Sequence, residues 1–302
     1  MRFVAVLNRE GGTLRSTDLD KFSSRMREIL SDAGHTVVVH VVDGDQITEA
    51  LDEAAAAQGV DAIIAGGGDG TISAAAGRLM GKERALAVLP AGTMNLFARG
   101  LAIPLELEQA LQAFTDAEIK AVDMATANGR PFIHQFSIGM HAKMVRLRDK
   151  MRFASRLGKI NASVRAAYAT IRNPPGVNVV LRIGEAEEKG KVSGIGVTNN
   201  LFGEGHLPYA DHPDGGVLGI YVTRSRKPGD MLSFAVNAAR GRWNANPHVD
   251  VYQSQTMEIQ LAARFTRLKC VIDGELTRLE PETRIEIRPK ALNVLAPRIG
   301  VA

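Results

Sequence analysis

The stretch AIIAGGGDGTISAAAGRL (Ala62–Leu79) decides how the rest of the chain is read. An apolar run meets three glycines, an aspartate, a fourth glycine and a threonine, and an alanine-rich run follows. Glycine loses more backbone entropy on folding than any other residue and offers no side chain to pack. The pattern predicts a buried strand, a turn and a short helix, so the glycines fall at a strand-to-helix junction. Backbone N–H groups converge at such a junction and the helix dipole adds partial positive charge, which makes phosphate the expected guest. The spacing is neither that of Walker A nor that of the dinucleotide fingerprint, and no lysine follows the loop. Asp69 beside a bound phosphate calls for a cation between them, and Mg²⁺ is the expected one. The competing reading is a tight turn in which glycine only supplies positive φ.

Working outward, 302 residues allow two ordinary domains, and an apolar fraction of 45% with 23% charged residues is that of a soluble globular protein. No stretch approaches the ~18 apolar residues of a membrane-spanning helix. The opening MRFVAVLNREGG has a short apolar core ended by Asn8 and Arg9, and is read as a first strand, not a secretory leader. A single cysteine, Cys270, excludes an internal disulfide and a cysteine-built zinc site, and the expected compartment is the cytoplasm. The formal net charge is +4, but its distribution matters more: Lys143 to Arg172 holds nine Lys or Arg against one acid, Asp149.

Residues 1–125 alternate between strand-like and helix-like patterns. FVAVLN, HTVVVHVV, DAIIAG and ALAVLPAGT read as strands; STDLDKFSSRMREILSDAG, TEALDEAAAAQG and LELEQALQAFT read as helices. This is the signature of a doubly wound α/β domain, whose loops line one edge of a parallel sheet. From about residue 126 the segments become short, β-branched and punctuated by turns, predicting an antiparallel β-sandwich or barrel. Helical segments interrupt it within 141–172 and around GDMLSFAVNAARG.

Two further stretches resemble parts of a site. In LPAGTMNLFARGLAIP (Leu89–Pro104), Thr93 and Asn95 are placed to donate to phosphate or sugar oxygens, though the same residue types cap helices. In CVIDGELTRL (Cys270–Leu279), Asp273 and Glu275 flank Gly274; the bland alternative is a type I′ hairpin turn. Within 141–172, Met144, Leu147, Met151, Leu157, Ile160, Val164, Tyr168 and Ile171 recur at near-helical spacing, with cations between them. The expectation is that this stripe packs on the protein while the cations face an anionic bilayer, each adding on the order of 1 kcal/mol. Nucleic acid is a poor partner for the basic run, because aromatics make up only 5% of the chain and no recognition motif is present. His134, His141, His206 and His212 lack metal-ligand spacing, and Cys270 reads as a small buried hydrophobe.

GGGDGT (Gly66–Thr71), PAGTMNLFAR (Pro90–Arg99) and IDGE (Ile272–Glu275), in this order, resemble the motifs of the diacylglycerol kinase-like lipid kinases, with SIGM (137–140) and LPYADHPDGGVLGIYV (207–222) extending the likeness. GGDGT alone is shared with the distant NAD kinases. The resemblance implies a nucleotide domain at 1–125, joined by 291–302, a β-rich lipid domain at 126–290, and an active site in the cleft between domains. It implies ATP bound by Asn8, Gly66, Gly67, Gly68, Gly70, Thr71, Gly92, Thr93 and Asn95. Asp273 matches a proposed general base and Glu275 its partner at a catalytic Mg²⁺, with Asp69 beside the phosphates. Asp214, assisted by Asp211, matches a second Mg²⁺ site. A lipid substrate at the inner membrane face is implied, with homodimerisation left open. The sequence departs from the family pattern at Arg9–Gly12, at Ile72, Ser73 and Ala74, and at Leu96, where an acid is frequent. These departures keep open a catalytically weak nucleotide- or lipid-binding regulator. A soluble-substrate kinase of the NAD kinase type is the third reading.

Overall fold

The computed structural model describes residues 1–151, 156–262 and 268–298, the side chains of 156–160 excepted. The chain divides into two compact units: Met1–Met124 with His212–Asp214 and Arg288 onward, and Ala125–Asp211 with Gly215–Ile287. It passes between them within β5 (Ala117–Ala127) and β16 (Glu282–Pro297), and again on either side of His212–Asp214.

The first unit runs β1 (Arg2–Asn8), α1 (Leu19–Asp32), β2 (Thr36–Val42), α2 (Ile47–Ala56), β3 (Ala62–Gly67), α3 (Asp69–Leu79), β4 (Ala85–Pro90), α4 (Leu96–Gly100) and α5 (Leu107–Thr115), then enters β5 (Ala117–Ala127). Strand order is β2-β1-β3-β4, all parallel, with Val4 opposite Val38 and Ile63, and Ile63 opposite Leu86. Every residue of β3 and β4 is buried, which is why these strands are continuous apolar runs: a parallel sheet covered on both faces has no polar side. Helix α1 starts where Asp18 accepts from the Lys21 amide, and it buries Phe22, Met26, Ile29 and Leu30 at helical spacing.

The second unit takes β6 (Arg130–Phe132), β7 (Gln135–Gly139), α6 (Met140–Asp149), α7 (Arg156–Arg172), β8 (Val177–Ile183), β9 (Ala186–Val192), β10 (Gly194–Asn199), β11 (Leu218–Thr223), α8 (Pro228–Ala239), β12 (Asp250–Ser254), β13 (Thr256–Leu261), β14 (Lys269–Ile272), β15 (Glu275–Arg278) and the start of β16 (Glu282–Pro297). One antiparallel sheet is ordered β12-β11-β10-β7-β14-β15; another joins β16, β13, β8 and β9. Phe136, Ile195, Val197, Ile220 and Cys270 of the first pack with Val179, Leu181, Met257, Ile259 and Ile285 of the second in one core, the sandwich expected. Burial alternates along β13 and β8, the mark of one dry and one wet face.

The end of β16 returns to the first unit, where Val294 lies opposite Leu86 in parallel pairing with β4. Lys290 sits at φ +54° within β16 and donates its amide to Asp123 Oδ1 at 2.8 Å. The Asp123 amide in turn donates to the Pro213 carbonyl, which ties His212–Asp214 to the first unit.

The basic segment corrects the expectation. It forms two helices, α6 and α7, and α7 buries its small residues Ala162, Ala166 and Thr170. Val164 and Tyr168 point away from the protein, 61% and 60% exposed. Small side chains allow close helix approach, so they, not the large apolar stripe, occupy the packed face. The side chains of Leu157 and Ile160 lie outside the described residues. Among the described residues no helix is long and apolar enough to cross a membrane.

Candidate active site

Strands β1, β3 and β4 end at Asn8, Gly67 and Pro90, so the three loops that follow them share the carboxyl edge of the parallel sheet. They touch through bare backbone. A Cβ built on Gly11 would lie 3.1 Å from the Gly67 Cα, and one on Gly92 would lie 2.8 Å from the Gly68 Cα. Gly12 stands at φ +23°, with no room for a Cβ against the Ala91 carbonyl. Hydrogen bonds complete the seam: Thr13 N donates to Ala91 O at 2.8 Å, and Ala91 N to Gly67 O at 3.0 Å. Gly11 and Gly12, which the sequence marks only as a departure from the family pattern, are part of this seam.

Within GGGDGT no glycine has positive φ, which removes the tight-turn explanation. A Cβ on Gly66 would meet Leu7 Cδ2 at 2.5 Å within the packed core; Gly67 is required by Thr71, whose Oγ1 would stand 2.5 Å away. Gly68 and Gly70 differ. A Cβ on Gly70 meets no protein atom within 4 Å, and one on Gly68 meets only the Gly92 Cα, at 3.7 Å. The protein itself gives no reason for either. Gly68 is also the N-cap of the eleven-residue α3, and no side chain caps that helix. An uncapped N-terminus beside unfilled space fits a phosphate group.

Asp69 opens α3 and spans the two loops. Its Oδ1 accepts from the Leu96 amide at 2.8 Å and its Oδ2 from the Asn95 amide at 3.2 Å. Asn95, at φ +50°, closes its own turn by accepting from Gly92 N at 2.8 Å and donating to Gly92 O at 3.0 Å. The side-chain amide of Asn95 thus organises the loop. Thr93 lies exposed on that loop. Asn8 accepts from Glu10 N and donates to Thr71 Oγ1 at 3.2 Å, which joins the first loop to α3.

In the second unit, Asp273 and Gly274 lie at φ +44° and +88° between β14 and β15, with Ile272 opposite Glu275. This is the hairpin turn that the Asp-Gly pair announced. The carboxylate does more: Oδ1 accepts from the His134 and Gln135 amides at 2.9 and 3.0 Å, and Oδ2 from the Ile133 amide at 2.9 Å. A carboxylate has about four acceptor positions, so Asp273 is fixed with little capacity left. Glu275 is exposed and paired with Arg130 at 2.7 Å. Nearby, His141 Nδ1 lies 2.6 Å from Ser137 Oγ and 3.1 Å from Gln135 Nε2, and burial, then Arg148, pushes its pKa down to about 4. Burial pushes the Cys270 thiol up to about 11, and Cys270 sits in the sandwich core.

The loop after β10 carries Asp211, whose Oδ1 lies 2.9 Å from His206 Nε2. Trp243 Nε1 donates to the His206 carbonyl at 3.0 Å, and the Trp243 ring meets Phe202 edge-on with centroids 5.6 Å apart. Asp214 belongs with the first unit. Among the described residues no three His, Cys, Asp or Glu side chains are grouped to hold a metal ion. Asp69, Glu275 and Asp211 each have protein partners: the Leu96 amide, Arg130 and His206.

Comparison with known proteins gives consistent likenesses. The diacylglycerol kinase catalytic domain family matches residues 2–127, and the YegS C-terminal NAD kinase beta sandwich-like domain family matches residues 135–296. An uncharacterized protein of Synechocystis sp. is 28% identical over 249 residues, 80% of this chain and 56% of that protein. A Yersinia pestis protein named "Probable lipid kinase YegS-like" is 43% identical over 91 residues, 29% of this chain and 31% of that protein. The match thus spans about half, or less, of these relatives' length. Two solved structures from Bacillus anthracis str. Sterne share the fold: one has TM-score 0.75 at 23% identity, covering 99% of this chain and 96% of the other. The second, of a diacylglycerol kinase, has TM-score 0.73 at 19% identity, with 99% and 98% covered.

Proposed function

The chain belongs to the diacylglycerol kinase-like lipid kinase family, and from that premise we propose that it transfers the γ-phosphoryl group of ATP to a hydroxyl of a diacylglycerol-like lipid or related amphiphile. The observation that carries this reading is the unfilled space at Gly68 and Gly70 beside the uncapped start of α3. The backbone there takes the ATP phosphates, and Asp69 holds the neighbouring loop in register through the Asn95 and Leu96 amides. The acceptor hydroxyl oxygen bonds to the γ-phosphorus as the bond to the bridging oxygen breaks and ADP leaves. The hydroxyl proton is lost late in such a transfer, and Asp273 is the carboxylate assigned to receive it. Mg²⁺ bound with the nucleotide would neutralise phosphate charge, with Asp69 the carboxylate beside the phosphates that would hold it.

The engaged carboxylates also favour a second reading, a nucleotide- or lipid-binding regulator with weak catalysis. Labelled γ-phosphate transfer from ATP separates the readings. Diacylglycerol, monoacylglycerol, ceramide, sphingosine and phosphatidylglycerol in mixed micelles, with NAD as a soluble acceptor, are tested with and without Mg²⁺. A labelled lipid is expected, and the label should disappear in Asp273→Asn. Labelled NAD alone would move the assignment to the soluble-substrate class. ATP binding with no labelled product would favour the regulator.

A further inference from the structure

The two helices α7 and α8 of the second unit lie beside each other and are inverted in the same way. On α7 the small residues are buried and Val164 and Tyr168 are exposed; on α8 Met231 is buried while Leu232 and Val236 are 57% and 41% exposed. Each exposed pair is four residues apart, one turn of one helix face. A large apolar side chain left in water forgoes the free energy of burial, so a repeated pattern of this kind marks a surface that meets something apolar.

Charge identifies the occupant. The sequence has no acid between Lys150 and Gly184, and Met231 to Ala239 carries no charge at all. The acid that opens α8, Asp230, accepts from the Ser225 hydroxyl at 2.5 Å. On α7, Arg165 and Arg172 are exposed beside the apolar pair. Arg172 also reaches the Tyr168 hydroxyl at 3.3 Å and lies 5.8 Å from its ring centroid. A tyrosine–arginine pair next to aliphatic side chains suits the headgroup level of a bilayer, where amphipathic rings and guanidinium groups collect. A second copy would bring the same positive charge to the contact.

We propose that Val164, Tyr168, Leu232 and Val236 form the face by which this protein rests on an anionic bilayer, with Arg165 and Arg172 at the lipid phosphates. The face inserts shallowly, as interfacial helices do, and the cations add affinity that salt weakens. The proposal rests on the lipid-kinase reading only for the protein's reason to be at a membrane, and its test uses vesicles without acceptor or ATP.

Flotation of the full chain is compared on phosphatidylcholine vesicles and on the same vesicles with about a third phosphatidylglycerol. Wild type should float with the anionic vesicles and far less with the neutral ones. Val164→Ser with Leu232→Ser should lower vesicle affinity by about tenfold or more. Arg165→Gln with Arg172→Gln should lower it by about tenfold and flatten its salt dependence. Both variants should keep the wild-type urea midpoint and phosphorylate a dispersed short-chain acceptor at the wild-type rate. Variants that float like wild type would overturn the proposal. So would a wild-type dimer that Val164→Ser with Leu232→Ser converts to monomer, because the face would then belong to a second copy. Loss of phosphate transfer with flotation intact would count against the kinase reading alone.

Discussion

At the β3–α3 junction, Asp69 follows three glycines, none of them at positive φ; at the β14–β15 turn, Asp273 precedes one glycine, and both residues occupy the left-handed region. The second turn is explained from within: a two-residue type I′ hairpin loop needs positive φ at both positions. The first is not, because Gly68 and Gly70 have ordinary backbone angles and space around them. Glycine at a strained angle is evidence about the chain. Glycine at a relaxed angle beside empty space is evidence about what the chain binds. The carboxylates follow suit, Asp69 joining two loops through two amides and Asp273 pinning a strand entry through three.

The largest effect expected from this contrast is in Asp273→Ala. Removing the carboxylate strips three backbone donors of their partner and should lower unfolding free energy by about 3 kcal/mol, read from urea denaturation. A midpoint equal to wild type would reduce the three hydrogen bonds to a negligible role. Next, Gly68→Val should weaken ATP binding by about a hundredfold while shifting stability by less than about 1 kcal/mol, measured by calorimetry and by urea. If stability falls and ATP affinity does not, the space at Gly68 has a structural purpose and the contrast between the turns breaks.

A pH effect comes third. Burial holds the His141 pKa near 4, below the ordinary 6.5, so the unfolded chain binds this proton first as the solution is acidified. Stability should therefore be level above about pH 7 and fall by about 3 kcal/mol by pH 4. His141→Gln should lose that part of the slope, and an unchanged slope would remove His141 as its source. The smallest effect belongs to Glu275→Gln, which breaks an exposed ion pair with Arg130; exposed pairs contribute little, so the urea midpoint should not move. A fall in kcat at constant midpoint would return Glu275 to the chemistry that the resemblance assigned it.

Much of this was legible in the sequence. Continuous apolar runs announced the covered parallel sheet, alternation announced the sandwich, and Asp-Gly announced its hairpin. What each carboxylate does was not legible, because the partners are remote: Asp69 reaches residues 26 and 27 positions downstream, and Asp273 reaches 138 to 140 positions upstream. The orientation of α7 was missed for another reason. Period tells which residues share a face, not which face is packed, and Ala162, Ala166 and Thr170 have the same period as the larger stripe. Strand β5 was missed because its first half lies open to solvent and lacks a clean alternation.

Trp243 is the chain's one indole, and it contacts Phe202 and the His206 carbonyl, so its emission responds to the Phe202–His206 segment. The protein thus carries a built-in optical gauge that needs no label and no deconvolution. A stopped-flow mix with nucleotide or with vesicles would show, from one trace, whether and how fast that segment responds to either.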